Sequence, residues 1–301
     1  MRYVEAVMWK QVTLVGVGLL GGSIGLAVRR RHLAGRVVGL VRREASVAEC
    51  RRLRVVDEAT LDEVAALEQA DLIILGTPVR QMRTLAQRLA PHVRRGAVVT
   101  DVGSVKGSLV KDLEEVFAAR RAHFVGSHPM AGGEQTGPSA ARVDLFEGAR
   151  CVLTPTGRTS RRALARVKKF WEALGCRTMQ MPPEAHDCLV ARASHLPHVA
   201  AAVLAWLVLS PEASPQQAVL CATGFRDTTR VASGSPEMWR DIAMENSKFL
   251  GEALDDFIKQ LQEFQRLMER QDSEELLNFF EQAKKRRDQW LAAMAVSPSP
   301  E

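Results

Sequence analysis

Val12-Thr13-Leu14-Val15-Gly16-Val17-Gly18-Leu19-Leu20-Gly21-Gly22-Ser23-Ile24-Gly25 places a G-x-G-x-x-G spacing at the end of a short apolar run. Val12–Gly16 reads as a strand. The residues after Gly18 open a helix whose apolar positions (Leu20, Ile24, Ala27, Val28) share one face. Gly16 permits the tight turn, Gly18 lets the backbone approach a pyrophosphate, and Gly21 lets the helix pack closely on the strand. Leu19 and Leu20 fall in the first helical turn, which supplies N–H donors and a positive dipole end. The glycine spacing alone is also met in ordinary turns. With a strand before it, a helix after it and a second strand about 20 residues on, it reads as a dinucleotide-binding βαβ unit.

Outward from this unit, short Val/Ile/Leu-rich runs alternate with helix-period segments. Val12–Gly16, Val37–Val41, Leu72–Gly76, Val98–Asp101, His123–Gly126, Cys151–Thr154 and Arg177–Met181 read as strands buried on both faces of a parallel sheet. Leu85 and Leu89, and then Leu164, Val167 and Trp171, carry the helical period between them. After Pro182-Pro183 the pattern becomes almost wholly helical, with one interruption around Gly224–Pro236. The expected fold is α/β: an N-terminal Rossmann-type doubly wound sheet followed by an all-helical C-terminal domain. The expected division is residues 1–181 for dinucleotide binding and residues 182–301 for substrate binding and dimerisation.

In the second part Leu250, Leu254, Phe257, Leu261, Phe264, Leu267 and Met268 recur at three- and four-residue steps, a wide apolar stripe. Such a stripe either builds the core of a small helical domain or also builds a homodimer. A helical domain of this size buries little by itself, which favours the dimer. Asp272-Ser273-Glu274-Glu275 reads as a helix restart with an N-cap and an acidic first turn. The tail Val296–Glu301, with its two prolines, reads as disordered.

The chain has 301 residues, of which 46% are hydrophobic and 25% charged. Those proportions fit a soluble globular protein. The net charge of +6 is spread along the chain and aromatics make up only 5%, so a nucleic-acid footprint is not expected. The excess positive charge suits an anionic substrate and cofactor. The longest apolar run, Val199–Leu209, is about half of a bilayer span and reads as a buried helix, so no membrane partner is expected. The N-terminus lacks the layout of a signal peptide, and the expected location is cytoplasmic. Cys50, Cys151, Cys176, Cys188 and Cys221 are scattered, with no C-x-x-C pair, and read as reduced core residues.

The second strand ends Val38-Gly39-Leu40-Val41-Arg42-Arg43, with no acid before Glu44. An NAD site usually places Asp or Glu here for the ribose hydroxyls. Arg42 and Arg43 can instead embrace a 2′-phosphate, so NADP is favoured over NAD, although both can be plain surface arginines.

Three further segments carry polar residues where strands or helices end: Asp101–Lys106, Gly126–Glu134 and Ala193–His198. His128 follows a strand, where loops line the ligand crevice, and its ordinary pKa near neutrality suits acid–base work. A structural histidine is the alternative, but Pro129 and the small residues after it make a bare loop suited to ligand approach. His195 and His198 share roughly one helix face, and Pro197 between them frees a backbone carbonyl. With no third ligand at a suggestive spacing, no metal site is expected. Arg226 and Arg230, four apart, can present a cationic face to a carboxylate, with Asp227 orienting Arg230 or pairing with it on the surface.

The stretches VGVGLLGGSIG (15–25), ILGTPV (74–79), DVGSVK (101–106), GSHPMAGGE (126–134), SHLPH (194–198) and GFRDTTRVASGSPEMW (224–239) occur here in order. In these the chain resembles the prephenate/arogenate dehydrogenases of tyrosine biosynthesis. The resemblance implies an NAD(P)-dependent oxidative decarboxylation of a cyclohexadienol driven by aromatisation. It implies that His128 polarises the 4-hydroxyl with Ser104 as its hydrogen-bond partner, and that Arg230 binds a substrate carboxylate. It further implies that Ser194, His195 and His198 line the pocket, that Glu134 gates it or recognises the side chain, and that Thr77 and Pro78 lie beside the cofactor. A monofunctional prephenate dehydrogenase is expected, with arogenate dehydrogenase as the alternative. Two more distant readings are a β-hydroxyacid dehydrogenase and a non-catalytic cofactor sensor. The first usually needs a catalytic lysine in the helical half, where lysines are few before Lys248, and the second would have no use for His128, Ser104 and Arg230.

Overall fold

The computed structural model describes residues 7–133 and 135–296. Contacts divide the chain into two compact units between Ser247 and Lys248. The expected boundary at 181/182 falls inside the first unit, where the sheet ends and helices take over.

The sheet has eight strands in the order β3-β2-β1-β4-β5-β6-β7-β8. They are β1 (Trp9–Val15), β2 (Ala34–Leu40), β3 (Glu58–Thr60), β4 (Leu72–Leu75), β5 (Val98–Asp101), β6 (His123–Pro129), β7 (Arg150–Thr154) and β8 (Arg177–Gln180). Six helices connect them: α1 (Leu19–Arg30), α2 (Glu44–Leu53), α3 (Glu63–Leu67), α4 (Val79–Leu89), α5 (Gly107–Ala118) and α6 (Arg161–Ala173). β1 through β6 are mutually parallel, as helical crossovers require. Successive residues of one strand face opposite ways: Leu72 and Ile74 pack with Val12, Ile24 and Trp171, while Ile73 and Leu75 pack with Val15, Leu113 and Phe117. Both faces are therefore covered, which explains the continuous apolar runs of these strands.

The sheet departs from the sequence expectation in two places. β3 is a three-residue edge strand paired with β2, too short to leave a periodic signal. β7 runs antiparallel to β6, and β8 follows β7. The described residues of the β6–β7 connection contain no crossover helix, only the short 3-10 turn Pro138–Ala140, so the chain doubles back on its neighbour. The α6 crossover then sets β8 parallel to β7.

Beyond β8 the first unit continues as α7 (Pro183–Val190), a π segment (Ala191–His195), α8 (Leu196–Val208), α9 (Pro215–Val219), α10 (Thr223–Thr229), a 3-10 turn (Arg230–Ser233) and α11 (Pro236–Glu245). The expected interruption at Gly224–Pro236 is smaller than read, because Gly224 lies inside α10. The helical run Pro183–Val208 spans 26 residues and is apolar enough, by length and composition, to cross a bilayer. Val199–Leu209 is not the buried helix its composition suggested. Within one chain Val203, Trp206, Leu207 and Leu209 are exposed, Trp206 at 86%. Among the described residues of the first unit, no element forms a second layer over that side of α8.

The second unit holds α12 (Ser247–Glu269) and α13 (Ser273–Val296). Asp272 Oδ1 accepts the Glu275 N–H at 3.1 Å, so the predicted N-cap starts α13. Phe264 of α12 packs at 5.2 Å and 5.7 Å from the rings of Phe279 and Phe280. Leu250 is buried, whereas Phe257, Leu261 and Met268 of the apolar stripe remain exposed. Apart from Val296, the tail expected to be disordered lies outside the described residues. Cys50, Cys151 and Cys176 are free and buried, while Cys188 and Cys221 are only half-buried.

Candidate active site

β1 and β4 are adjacent, and the chain leaves them toward opposite edges of the sheet, which opens a crevice at their carboxyl ends. Gly16 turns there with φ +94°. Gly18 is the N-cap of α1 and offers no side chain to its first turn. A Cβ on Gly21 would stand 2.2 Å from the Gly16 carbonyl oxygen, whereas one on Gly18 would meet nothing within 4 Å. Gly21 thus serves packing, and Gly18 keeps space clear in front of free N–H donors. Thr77 follows β4 against the turn: its Cγ2 lies 3.0 Å from where a Gly16 Cβ would be. Thr77 Oγ1 is buried without a partner among the described residues, and Pro78 caps α4. An open glycine turn, an uncapped helix start and an orphaned hydroxyl together fit a dinucleotide's pyrophosphate and nicotinamide end.

On the neighbouring strand, Asp101 ends β5 in a fully buried ion pair with Lys106. Asp101 also accepts N–H bonds from Gly103 at 2.8 Å and Ser127 at 3.0 Å. The Ser127 hydroxyl is shared with Thr100 at 2.8 Å and accepts the indole N–H of Trp171 at 3.1 Å. Every polar group in this knot has a partner, as its burial demands. It locks the ends of β5 and β6 together one residue before His128.

His128 lies on β6 opposite Val152, 8% exposed. Its Nδ1 is 2.9 Å from His186 Nε2, and His186 Nδ1 is 2.8 Å from Asp187 Oδ1. Asp187 in turn accepts the backbone N–H groups of Lys106 at 2.8 Å and Gly107 at 2.7 Å, at the start of α5. Burial, followed by the nearby His186, Lys106 and His195, holds the His128 imidazole well below its ordinary pKa. At neutral pH it is an uncharged base. The partner of its Nδ1 is His186 of α7, and Ser104, half-buried on the β5–α5 loop, makes no hydrogen bond to it.

The π segment ends at His195, buried at 1% exposure. Pro197 in the first turn of α8 lacks a backbone N–H, so the ladder widens here instead of continuing as an ideal helix. His195 Nδ1 is 3.1 Å from Asn246 Nδ2, while its Nε2 is buried without a partner. Burial pushes the His195 pKa down to about 4. His198 stacks on Trp239 at 3.7 Å between centroids, and its Nδ1 lies 3.0 Å from the Ser194 carbonyl. Burial and the charge of Arg230 push His198 down, while that carbonyl opposes them. Arg230, exposed at the start of the 3-10 turn, therefore stands near the His198–Trp239 stack. Arg226 pairs with Asp227 at 3.5 Å on the surface. Arg42 and Arg43 are exposed just beyond β2, with Arg43 the N-cap of α2. Glu134 lies outside the described residues.

The fold thus gathers His128, His195, His198 and Arg230 from sequence-distant segments, and adds His186, Asp187, Lys106 and Asn246. His186 and Asp187 escaped sequence reading because acids and polar residues after Pro182-Pro183 look like an ordinary solvated first turn. Asn246, beyond the last motif, left no signal.

The family model for the prephenate dehydrogenase nucleotide-binding domain matches residues 24–180, and that for the prephenate dehydrogenase dimerization domain matches residues 182–282. The chain belongs to the prephenate dehydrogenase family. Prephenate dehydrogenase of Bacillus subtilis (strain 168) is 34% identical over 279 residues, covering 92% of this chain and 75% of that protein. Cyclohexadienyl dehydrogenase of Zymomonas mobilis is 35% identical over 283 residues, covering 93% and 96%. The crystal structure of Aquifex aeolicus prephenate dehydrogenase in complex with hydroxyphenyl propionate and NAD+ superposes with a TM-score of 0.88 at 35% identity, covering 96% and 99%. The chain is accordingly an NAD(P)-dependent dehydrogenase with a Rossmann-type nucleotide-binding domain, and its crevice and buried histidines lie on the fold of that family.

Proposed function

We propose that the enzyme oxidatively decarboxylates prephenate to 4-hydroxyphenylpyruvate, with NADP+ favoured over NAD+. His128 takes the proton of the 4-hydroxyl and Arg230 binds a substrate carboxylate. The observation that carries this reading is His128 itself: buried, held neutral, backed by His186, and near the carboxyl end of β6, two strands from β4 in the same sheet. A dinucleotide held with its pyrophosphate on the glycine turn would supply the hydride acceptor.

The chain's own residues orient the ring and manage one proton. His128 receives it from the hydroxyl as the C4–H bond breaks, and returns it to the same oxygen once the C–CO2 electron pair has aromatised the ring. Aromatisation supplies the driving force, so no strong base is needed. Arg230 offers a two-pronged donor to a carboxylate, His195, Ser194 and His198 line the other side, and Glu134 gates the pocket or recognises the substrate side chain. Ser104 on the loop after β5 and Thr77 and Pro78 after β4 face the nicotinamide end, and Gly16, Gly18, Leu19, Leu20 and Gly21 hold the pyrophosphate. The leaving carboxylate should be held loosely, because stronger binding of the ground state than of the transition state slows the reaction.

Arg42 and Arg43 support the NADP preference: both are exposed past β2, where an NAD site would carry an acid. Arogenate is the second reading, since the Zymomonas mobilis relative is named for the cyclohexadienyl ring alone. Residues 1–181 form the dinucleotide-binding part and residues 182–301 the part that binds substrate and builds a homodimer, supported by the exposed apolar side of α8. The enzyme works in the cytoplasm, with no nucleic-acid or membrane partner.

Following NAD(P)H formation with prephenate and arogenate, each with both cofactors, tests the reading. The highest kcat/KM is expected with prephenate and NADP+. A strong preference for NAD+ or for arogenate overturns that part, and no reduction with either substrate overturns the whole.

A further inference from the structure

The residues behind His128 form a line that the reaction described above does not use. Both Asp187 oxygens accept backbone N–H groups, from Lys106 at 2.8 Å and Gly107 at 2.7 Å. A backbone N–H can only donate, so the hydrogen between Asp187 Oδ1 and His186 Nδ1 belongs to the imidazole. A neutral imidazole carries one N–H. With that hydrogen on Nδ1, His186 Nε2 is an acceptor, and the hydrogen in its 2.9 Å contact with His128 must come from His128 Nδ1. The remaining nitrogen of His128, Nε2, then bears a lone pair.

We propose that His186 and Asp187 are positioning residues for proton transfer, fixing His128 in the Nδ1–H tautomer so that Nε2 is the atom that receives the substrate's hydroxyl proton. This rests on the role proposed above for His128. In the step, the hydroxyl O–H bond breaks and an N–H bond forms at His128 Nε2 as C4 gives up its hydride. When the C–CO2 bond breaks, its electron pair completes the aromatic ring and the proton returns to the oxygen. While His128 is cationic, its Nδ1–H bond to His186 strengthens, and the Asp187 carboxylate stabilises the pair. The logic is that of an oriented imidazole backed by a carboxylate, with a second imidazole interposed. The line is rigid because Asp187 is tied to α5 and its own carbonyl accepts the Asn246 amide at 2.9 Å.

Two experiments test this. In the wild-type enzyme, 15N-histidine NMR at neutral pH is expected to report the Nδ1–H tautomer for His128, and the Nε2–H tautomer there overturns the proposal whatever the variants do. In steady-state kinetics, His186→Phe keeps the ring volume but cannot accept a hydrogen bond. It is expected to lower kcat at least about tenfold with KM for prephenate within about threefold. His186→Gln, whose amide can donate to Asp187 and accept from His128, is expected to recover most of that loss. Equal kcat in His186→Phe and wild type overturns the proposal, as does failure of His186→Gln to recover activity when it is folded and binds cofactor normally. His128→Asn separates the two layers: if it leaves kcat intact, the role of His128 itself fails. If it abolishes turnover while His186→Phe does not reduce it, only the positioning line fails.

Discussion

Asn246 donates to His195 Nδ1 across 3.1 Å, which leaves the other ring nitrogen of His195, Nε2, buried and unpartnered. The same amide nitrogen also donates to the Asp187 carbonyl, an obligate acceptor, so its identity as the NH2 end is settled by the network. His195 is therefore an Nε2–H donor with no group among the described residues to receive it. A buried donor of that kind costs stability unless a ligand satisfies it. His195→Ala is expected to raise KM for prephenate by about tenfold or more, the value of one hydrogen bond to a charged acceptor, with a smaller change in kcat. Initial-rate kinetics check this, and an unchanged KM removes His195 from substrate binding.

Arg230→Ala is expected to act mainly on KM, because carboxylate binding is shared by ground and transition states. A loss of about two orders of magnitude in kcat/KM corresponds to roughly 3 kcal/mol, the upper range for a bond to a charged group. If KM hardly moves, the anchor must be another cation. Arg226, pairing with Asp227 on the surface, would be the next to replace.

His128 must be neutral to take a proton, and burial lowers its pKa well below 6.5. Activity is then present above that lowered pKa and lost as pH falls through it. The pH profile of kcat/KM is expected to stay flat through neutrality, with an acid limb well below pH 6.5. A limb at or above that value would mean that the base is exposed or is another group.

Gly18→Ala and Gly21→Ala are expected to fail differently. A Cβ on Gly18 meets no protein atom within 4 Å, so the fold and Tm should survive while the Kd for NADP+ rises at least about tenfold, the phosphate approach being blocked. At Gly21 the Cβ would stand 2.2 Å from the Gly16 carbonyl, and stability should fall by about 1–3 kcal/mol. Thermal melting and cofactor fluorescence titration distinguish the two. Equal melting losses would show that Gly18 also serves packing.

Trp206, 86% exposed on α8, carries the test of the dimer. Wild-type protein is expected to sediment as a dimer at micromolar concentration, and Trp206→Glu to shift it toward monomer. A wild-type monomer, or a dimer indifferent to this substitution, places the interface elsewhere or removes it.

Local chemistry carried much of this protein into view without coordinates. Gly16 announces the turn because its left-handed backbone favours glycine, Gly18 and Gly21 because a side chain would crowd the phosphate approach or the Gly16 carbonyl. The strands of the sheet centre announce themselves because burial on both faces leaves unbroken Val, Ile and Leu. His128 and the residues around His195 stand out as polar groups at the ends of apolar elements. Tertiary structure decided what depends on neighbours far apart in sequence. The reversal of β7 follows from a connection whose described residues hold no crossover helix, and the exposure of Trp206 from the lack of a covering layer among the described residues of its own unit. Above all, the partner of His128 is not Ser104 but His186, 58 positions away, held by an aspartate that also starts another helix. A hydrogen bond depends on distance and direction in space, and residue order along the chain carries neither across a fold.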